Sequence, residues 1–230
     1  MFRVWVTPQG FPDYKFLAPT RSLGLEMKSG PNREPETRQW IEQIDLDCKP
    51  VLWDVGANVG SFALLAAKRG IYVVAAEPMP QNLYLLTSNI VENGVGELCT
   101  VLPLAISGVS GSNMFWQTSK EFGSAQHAFG QPARDGRELD PVMGFRLAGI
   151  TIDDAVVNLN LPSPTHIKVD VDGIDDEIIY GAEKSLSGVK GICCEVKFDQ
   201  RRIDRLVDFL TQREFQVAEI GARNAIFFRK

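Results

Sequence analysis

An α/β fold built on an open parallel sheet is what the chain predicts, and three observations carry the prediction. Short apolar runs bounded by turn residues alternate with runs of helical period, in the order strand, helix, strand, helix, strand, which is the pattern of right-handed crossovers. The stretch VLWDVGANVGSFALLAAKRG holds a strand, a glycine turn and a helix without interruption. A length of 230 residues with 44% hydrophobic content suffices for one sizeable core, and nothing in the composition demands a second.

Val51, Leu52 and Trp53 form the first central strand and Asp54 closes it. Gly56, Asn58 and Gly60 then make a tight turn before Phe62, Leu64, Leu65 and Ala66 begin a helix that Gly70 stops. Gly56 lets the backbone bend with no side chain between it and a ligand, Asn58 tolerates positive φ, and Gly60 permits close helix packing. Unpaired amides at the helix start face an anionic or polar group. Glu77 ends the next strand, 72–76, over the same crevice, where a carboxylate can accept both hydroxyls of a ribose. A dinucleotide site asks for G-x-G-x-x-G, whereas this loop reads G-A-N-V-G and lacks the glycine that admits a pyrophosphate. S-adenosylmethionine, with an ammonium group for Asp54 and a ribose for Glu77, fits better. A plain strand-to-helix turn is the bland alternative.

Net charge is −5, with lysine and arginine scattered rather than striped, which argues against a nucleic-acid partner. Cys48, Cys99, Cys193 and Cys194 show no C-x-x-C spacing and read as reduced residues. The N-terminal apolar run is short for a signal peptide, and no segment approaches the roughly 20 apolar residues of a membrane span, so a cytoplasmic protein without membrane contact is expected.

Residues 1–33 read as a small extension packing on the main domain, 34–230. PNREPETRQWIEQI is a helix, with Pro35 near its start, Glu34 and Glu36 in the first turn, and Trp40, Ile41 and Ile44 at helical spacing. Thr37 is a cap there and, near the ligand mouth, a candidate cofactor contact. After Glu77 and Pro78, PMPQNLYLLTSNIVENG is a second helix, with Leu83, Leu86 and Ile90 on one face, Gly94 at its stop, and Asn82 on its first turn near Glu77. CTVLPLAIS is a third strand whose end, Ala105 to Ser107, can frame an adenine with its backbone, and GSNMFWQT extends a hairpin. Residues 119–149, rich in glycine, proline and charge, are too long for an ordinary connection and read as an insertion that is either a lid or disordered. His127 is the candidate base inside it, against the commoner fate of a solvated loop histidine.

THIKVDVDGIDDEIIYGAEKSL gives a fourth strand, a turn at Asp172 and Gly173, and a helix from about Asp176. His166 enters at the end away from the ligand and reads as structural. Alternation puts Lys168, Asp170 and Asp172 on one side, so Lys168 and Asp170 can touch. Asp175 and Asp176 read as complements to the helix dipole. GICCEV is a fifth strand ending in Glu195, which then shares a rim with Asp170. Such carboxylates can take a proton from a hydroxyl, hydrogen-bond a polyol or hold a divalent cation; the cation reading rests on acids alone, and no metal ligand set is assigned.

With these motifs in order (EPETRQWI, DVGANVGSF, AAEP, LAIS, GITIDD, IKVDVDGIDDEIIYGAEKSL and CCEV) the chain resembles the FkbM family of class I methyltransferases over roughly residues 34–198. The resemblance implies a Rossmann-like fold: a mostly parallel sheet of seven strands, the last antiparallel, with helices on both faces. It implies S-adenosylmethionine-dependent O-methylation of a small hydroxylated acceptor such as a sugar or polyketide. By this likeness Asp54, Gly56, Asn58 and Gly60 face the methionine part, Glu77 the ribose, and Ala105 or Ser107 the adenine, with Ala57, Ser61, Pro78 and Asn82 as further candidate cofactor contacts. Asp172 and the pair Ile174 and Asp175 depart from the family's usual turn. Asp170, as base or base-orienter and a neighbour of the cofactor, is the leading catalytic candidate, with Glu195 and Lys168 positioning the acceptor and His127 the rival base. An NAD(P)-dependent oxidoreductase and a non-catalytic binding module are the alternatives.

Overall fold

Apolar runs such as 51–55 and 72–76 are buried on both faces of a sheet, which is why they read as continuous rather than alternating. The computed structural model describes residues 4–134, 137–196, 200–221 and 223–230. Its main sheet contains β1 (Val51–Val55), β2 (Tyr72–Ala76), β3 (Cys99–Leu102), β4 (His166–Val169), β5 (Gly191–Glu195), β6 (Phe215–Ile220) and β7 (Asn224–Arg229). The spatial order is β6-β7-β5-β4-β1-β2-β3. The first five strands run parallel, and β7 is antiparallel to both β5 and β6. The order reverses between β1 and β4, the position where open α/β sheets leave a crevice beyond their carboxyl ends.

Period-two alternation divides the core into two layers. Leu52, Val73, Ala75 and Cys193 face one side, while Trp53, Val55, Val74, Ile167, Val169 and Cys194 face the other. On the first side lie α1 (Arg21–Met27), α2 (Pro35–Glu42), α3 (Ser61–Lys68) and α4 (Pro80–Glu92). On the second lie α5 (Ile152–Asn158), α6 (Asp175–Tyr180) and α7 (Gln200–Thr211). Gly70 and Gly94 stop α3 and α4 at φ +90° and +66°, as their positions predict. The buried stripe of α4 is Asn82, Leu85, Leu86, Asn89 and Ile90, with Leu83 half-buried. Two asparagines join it because each is satisfied inside. Asn89 accepts from the Leu17 amide at 2.7 Å and donates to the Val59 carbonyl at 2.8 Å, tying the N-terminal segment to the loop before α3.

Two expectations change. The third strand does not continue to Ser107: Pro103 interrupts it, and Ala105–Ile106 leaves the main sheet for a four-stranded one of order Ala105–Ile106, Met143–Ile150, Gly111–Gln117, Ala128–Phe129. Gly111–Gln117 is antiparallel to both Met143–Ile150 and Ala128–Phe129, so its partners come later in the chain. The insertion therefore ends in an eight-residue strand rather than continuing as loop to 149. Near the N-terminus, Val4–Val6 pairs with Phe16–Ala18, and Phe16, Leu17 and Ala18 join the core beside α3 and α4.

Candidate active site

The ends of β1, β2 and β4 converge on the crevice, and two adjoining cavities of about 80 and 220 Å³ open there. Both are lined by Gly56, Asn58, Asp170 and Asp172 on the sheet side and by Ala125 and Gln126 on the other. Gly56 has φ +79°, and a Cβ on it would stand 2.0 Å from the Asp170 carbonyl oxygen, so no other residue fits. Asn58 takes φ +51°. Gly60 starts α3 with no side-chain cap.

The smaller cavity gathers Glu77, Pro78, Asn82 and Ala105, with Leu104, Ile106, Phe115 and Phe129 as an apolar wall. Glu77 is 5% exposed; one carboxylate oxygen accepts from the Asn58 amide at 2.8 Å, the other from the Met79 amide at 2.9 Å. Burial pushes this carboxyl up to about 7, against the pull of those amides and of Asn82. Each oxygen keeps capacity for a further donor. Sequence reasoning missed the wall because Phe115 and Phe129 belong to the second sheet, whose pairing is long-range.

The larger cavity gathers Ala57, Ser61, Lys168 and Asp170, with Phe62, Arg33, Glu34 and Arg223. Parallel pairing sets Lys168 opposite Asp54. The Lys168 ammonium lies 3.1 Å from Asp54 Oδ1, 3.8 Å from Asp170 Oδ2 and 5.2 Å from the centre of the Phe62 ring. Burial alone would lower its pKa, but Asp54, Asp170 and Glu34 outweigh that and hold it above the usual lysine value. Asp54 is 1% exposed and lines neither cavity. Oxygens of Asp170, Asp172 and Glu195 lie within 4.8 Å of one another, so the expected shared rim exists. Arg223 stands 4.0 Å from Glu195, and Asp172 accepts from the Gln126 amide at 2.6 Å. The trio alone does not define a metal centre.

Residues 123–126 cross the crevice as a strap. Asn82 accepts from the Gly123 amide and donates to the Ser124 carbonyl, both at 2.9 Å, while Asn58 reaches the carbonyls of Gly123 and Ser124 at 3.4 Å. Gln126 joins the strap's far end to Asp172. His127 is buried rather than solvated: its Nδ1 is 3.2 Å from both the amide and the hydroxyl of Thr118, and its Nε2 is 3.2 Å from the Ser124 hydroxyl. It lines the smaller cavity only, and burial lowers its pKa.

Other candidates lie off the cavities. Thr37 is buried against Glu34, Cys193 and Asn224, and the Ser107 hydroxyl donates to the Val109 carbonyl. His166 sits at the opposite end of β4 against Trp40, its pKa pushed down by burial to about 4. Asp175 and Asp176 do more than complement a helix dipole. Asp175, fully buried, accepts from the amides of Val171 and Gly173 at 2.9 Å and so fixes the turn that carries Asp170 and Asp172. Asp176 pairs with Arg202, which also donates to the Gly173 carbonyl at 2.8 Å.

Strand order and the glycine turn define a Rossmann-like α/β fold, and solved structures agree on it. A FkbM methyltransferase from Methylobacillus flagellatus aligns with a TM-score of 0.55 at 16% identity, covering 90% of this chain and 52% of that one. A precorrin-6y C5,15-methyltransferase from Geobacter metallireducens aligns at 0.50 and 16%, covering 86% and 88%. The family model for the methyltransferase FkbM domain matches residues 54–217, and the chain belongs to that family. Its similarity to the hexuronic acid methyltransferase AglP of Haloferax volcanii is 30% identity over 161 residues, 69% of this chain. The chain spans 60% of that relative's length. Membership of a methyltransferase family weighs against the nicotinamide oxidoreductase that the glycine turn left open.

Proposed function

We propose that the protein transfers a methyl group from S-adenosylmethionine to a hydroxyl of a small sugar-like acceptor. The observation that carries this reading is the pair of adjoining cavities, one with Glu77 beside an apolar wall and the other polar and acid-rimmed, which meet at Gly56 and Asp170. The residues present fit the cofactor. Glu77 offers each carboxylate oxygen to a ribose hydroxyl, the apolar wall suits a base, and the larger cavity holds charged groups for an amino-acid end.

S-adenosylmethionine supplies, when bound, a methyl carbon already activated by a sulfonium. The chain's task is then to hold the acceptor oxygen in line and remove its proton. Asp170, at the junction of the cavities, is placed to accept that proton. Asp172 and Glu195 add acceptor oxygens that suit a polyol, consistent with the sugar named for the Haloferax relative. His127 serves the strap in this reading, because its Nε2 faces the Ser124 hydroxyl of the strap while its Nδ1 is engaged by Thr118.

Calorimetry with S-adenosylmethionine, followed by labelled methyl transfer to neutral and acidic sugars, tests the proposal. Asp170→Asn should cut kcat by about a hundredfold or more while leaving S-adenosylhomocysteine affinity within a few-fold. Full turnover in that variant would remove Asp170 from the mechanism. Absence of binding heat in the wild type would remove the cofactor.

A further inference from the structure

Asp54 opens the glycine turn and would, by position, take the ammonium of the cofactor's amino-acid end. The structure gives that carboxylate another partner. Asp54 is 1% exposed, neither of its oxygens has a hydrogen-bond partner of good geometry among the described residues, and the charge close to it is the Lys168 ammonium at 3.1 Å. A buried carboxylate so placed depends on its cation. Lys168, unlike Asp54, does line the larger cavity, between Asp170 and the Phe62 ring.

We infer that Lys168 binds the carboxylate of the cofactor's amino-acid end, with Asp54 as its permanent internal counterion rather than a ligand of the ammonium. An ammonium carries three donors; Asp54 stands against it at 3.1 Å and Asp170, more loosely, at 3.8 Å. The remaining side faces a cavity that also contains Ser61 and Phe62, the first residues of α3, whose helix start has no side-chain cap. Lysine and helix start thus place positive charge on the same wall, which suits an anionic group. Asp54 keeps the lysine ionised and fixed in place, so the donor is preorganised before any ligand arrives. Alternation along β1 and β4 supports a functional origin for the pair. The face that buries Leu52, Ala63 and Cys193 would be completed by apolar residues at 54 and 168, yet carries two charges there instead.

The inference rests on the S-adenosylmethionine reading, and its test separates the two. Dissociation constants are measured for S-adenosylmethionine and for its decarboxylated form, which keeps the ammonium, ribose and adenine. Wild type should prefer the intact compound by about thirtyfold or more, the scale expected for losing one partner of a desolvated charge pair. Lys168→Met should bring the two affinities within about threefold of each other, with the decarboxylated form bound about as before. Because that variant strands Asp54 and can fail to fold, Asp54→Asn with Lys168→Met is made alongside it and should show the same collapsed preference. A preference that survives in the double variant, or a wild type that binds both forms equally, overturns the role of Lys168 and leaves the cofactor reading intact. A wild type that binds neither overturns the cofactor reading itself.

Discussion

Glu77 is buried before any ligand arrives, and that sets stability against function at one carboxyl. Its folded pKa of about 7 lies above the ordinary 4.5, so the folded state holds a proton that the unfolded state releases between those values. The stability this contributes is fully present below about pH 4.5 and is lost as pH rises towards 7. The role proposed for Glu77, accepting two ribose hydroxyls, needs the ionised form. Between pH 5.5 and 7.5, affinity for S-adenosylhomocysteine should therefore rise by about tenfold per unit at the steepest, then level off. Glu77→Gln should bind weakly at every pH and gain stability relative to wild type as pH rises, read from urea denaturation and calorimetry across that window. A second residue-scale expectation concerns Gly56. Gly56→Ala forces a Cβ towards the Asp170 carbonyl in a left-handed conformation, and should cost ~2–4 kcal/mol and abolish nucleoside binding.

At the scale of elements, the strap and the Asp170 turn each make two hydrogen bonds with one buried polar side chain. Asn82 holds the strap through two hydrogen bonds, and at about 1 kcal/mol each their loss in Asn82→Ala should open residues 123–126 about tenfold or more often. Hydrogen exchange of the Gly123 amide reads this directly; unchanged protection would mean that the strap is held elsewhere. Asp175→Ala leaves two buried amides without acceptors and should cost ~1–3 kcal/mol, with a loss of kcat as Asp170 is released. The sequence was legible where structure is local. The β1-turn-α3-β2 unit, the caps of α3 and α4, and Glu77 all follow from periodicity and glycine placement over short spans. It was opaque where a partner lies far along the chain. Nothing local marks Met143–Ile150 as the mate of Gly111–Gln117, and the Asp54–Lys168 pair emerges only once β4 is known to lie beside β1. The sequence placed Asn82 near Glu77 but did not mark the structural role of Asn89, because a polar side chain on an apolar stripe is decipherable only with its partners in view.

Across the whole molecule the two ends of the parallel strands serve different purposes. At the carboxyl ends sit Glu77, Lys168 and Asp170; at the amino end of β4 sits His166, packed on Trp40 with no link to either cavity. Its pKa is depressed to about 4, so its contribution to stability is present above about pH 6.5 and is lost as pH falls towards 4. His166→Gln should flatten the acid limb of thermal stability without altering cofactor affinity, as melting curves from pH 4 to 7 would reveal. The core tolerates less. Leu64→Ala, in a helix position with no exposure, should cost ~2–5 kcal/mol in denaturant unfolding.

The strap also bears on tempo. A nucleoside beneath residues 123–126 is enclosed by a segment tied to α4 at one end and to Asp172 at the other, whereas the larger cavity extends on towards the half-exposed Arg33 and Arg223. Under the proposed function, methylated product would depart while the spent nucleoside waits for those ties to break. Rapid-quench experiments should accordingly show a first turnover faster than those that follow, and loosening Asn82 should erase the difference.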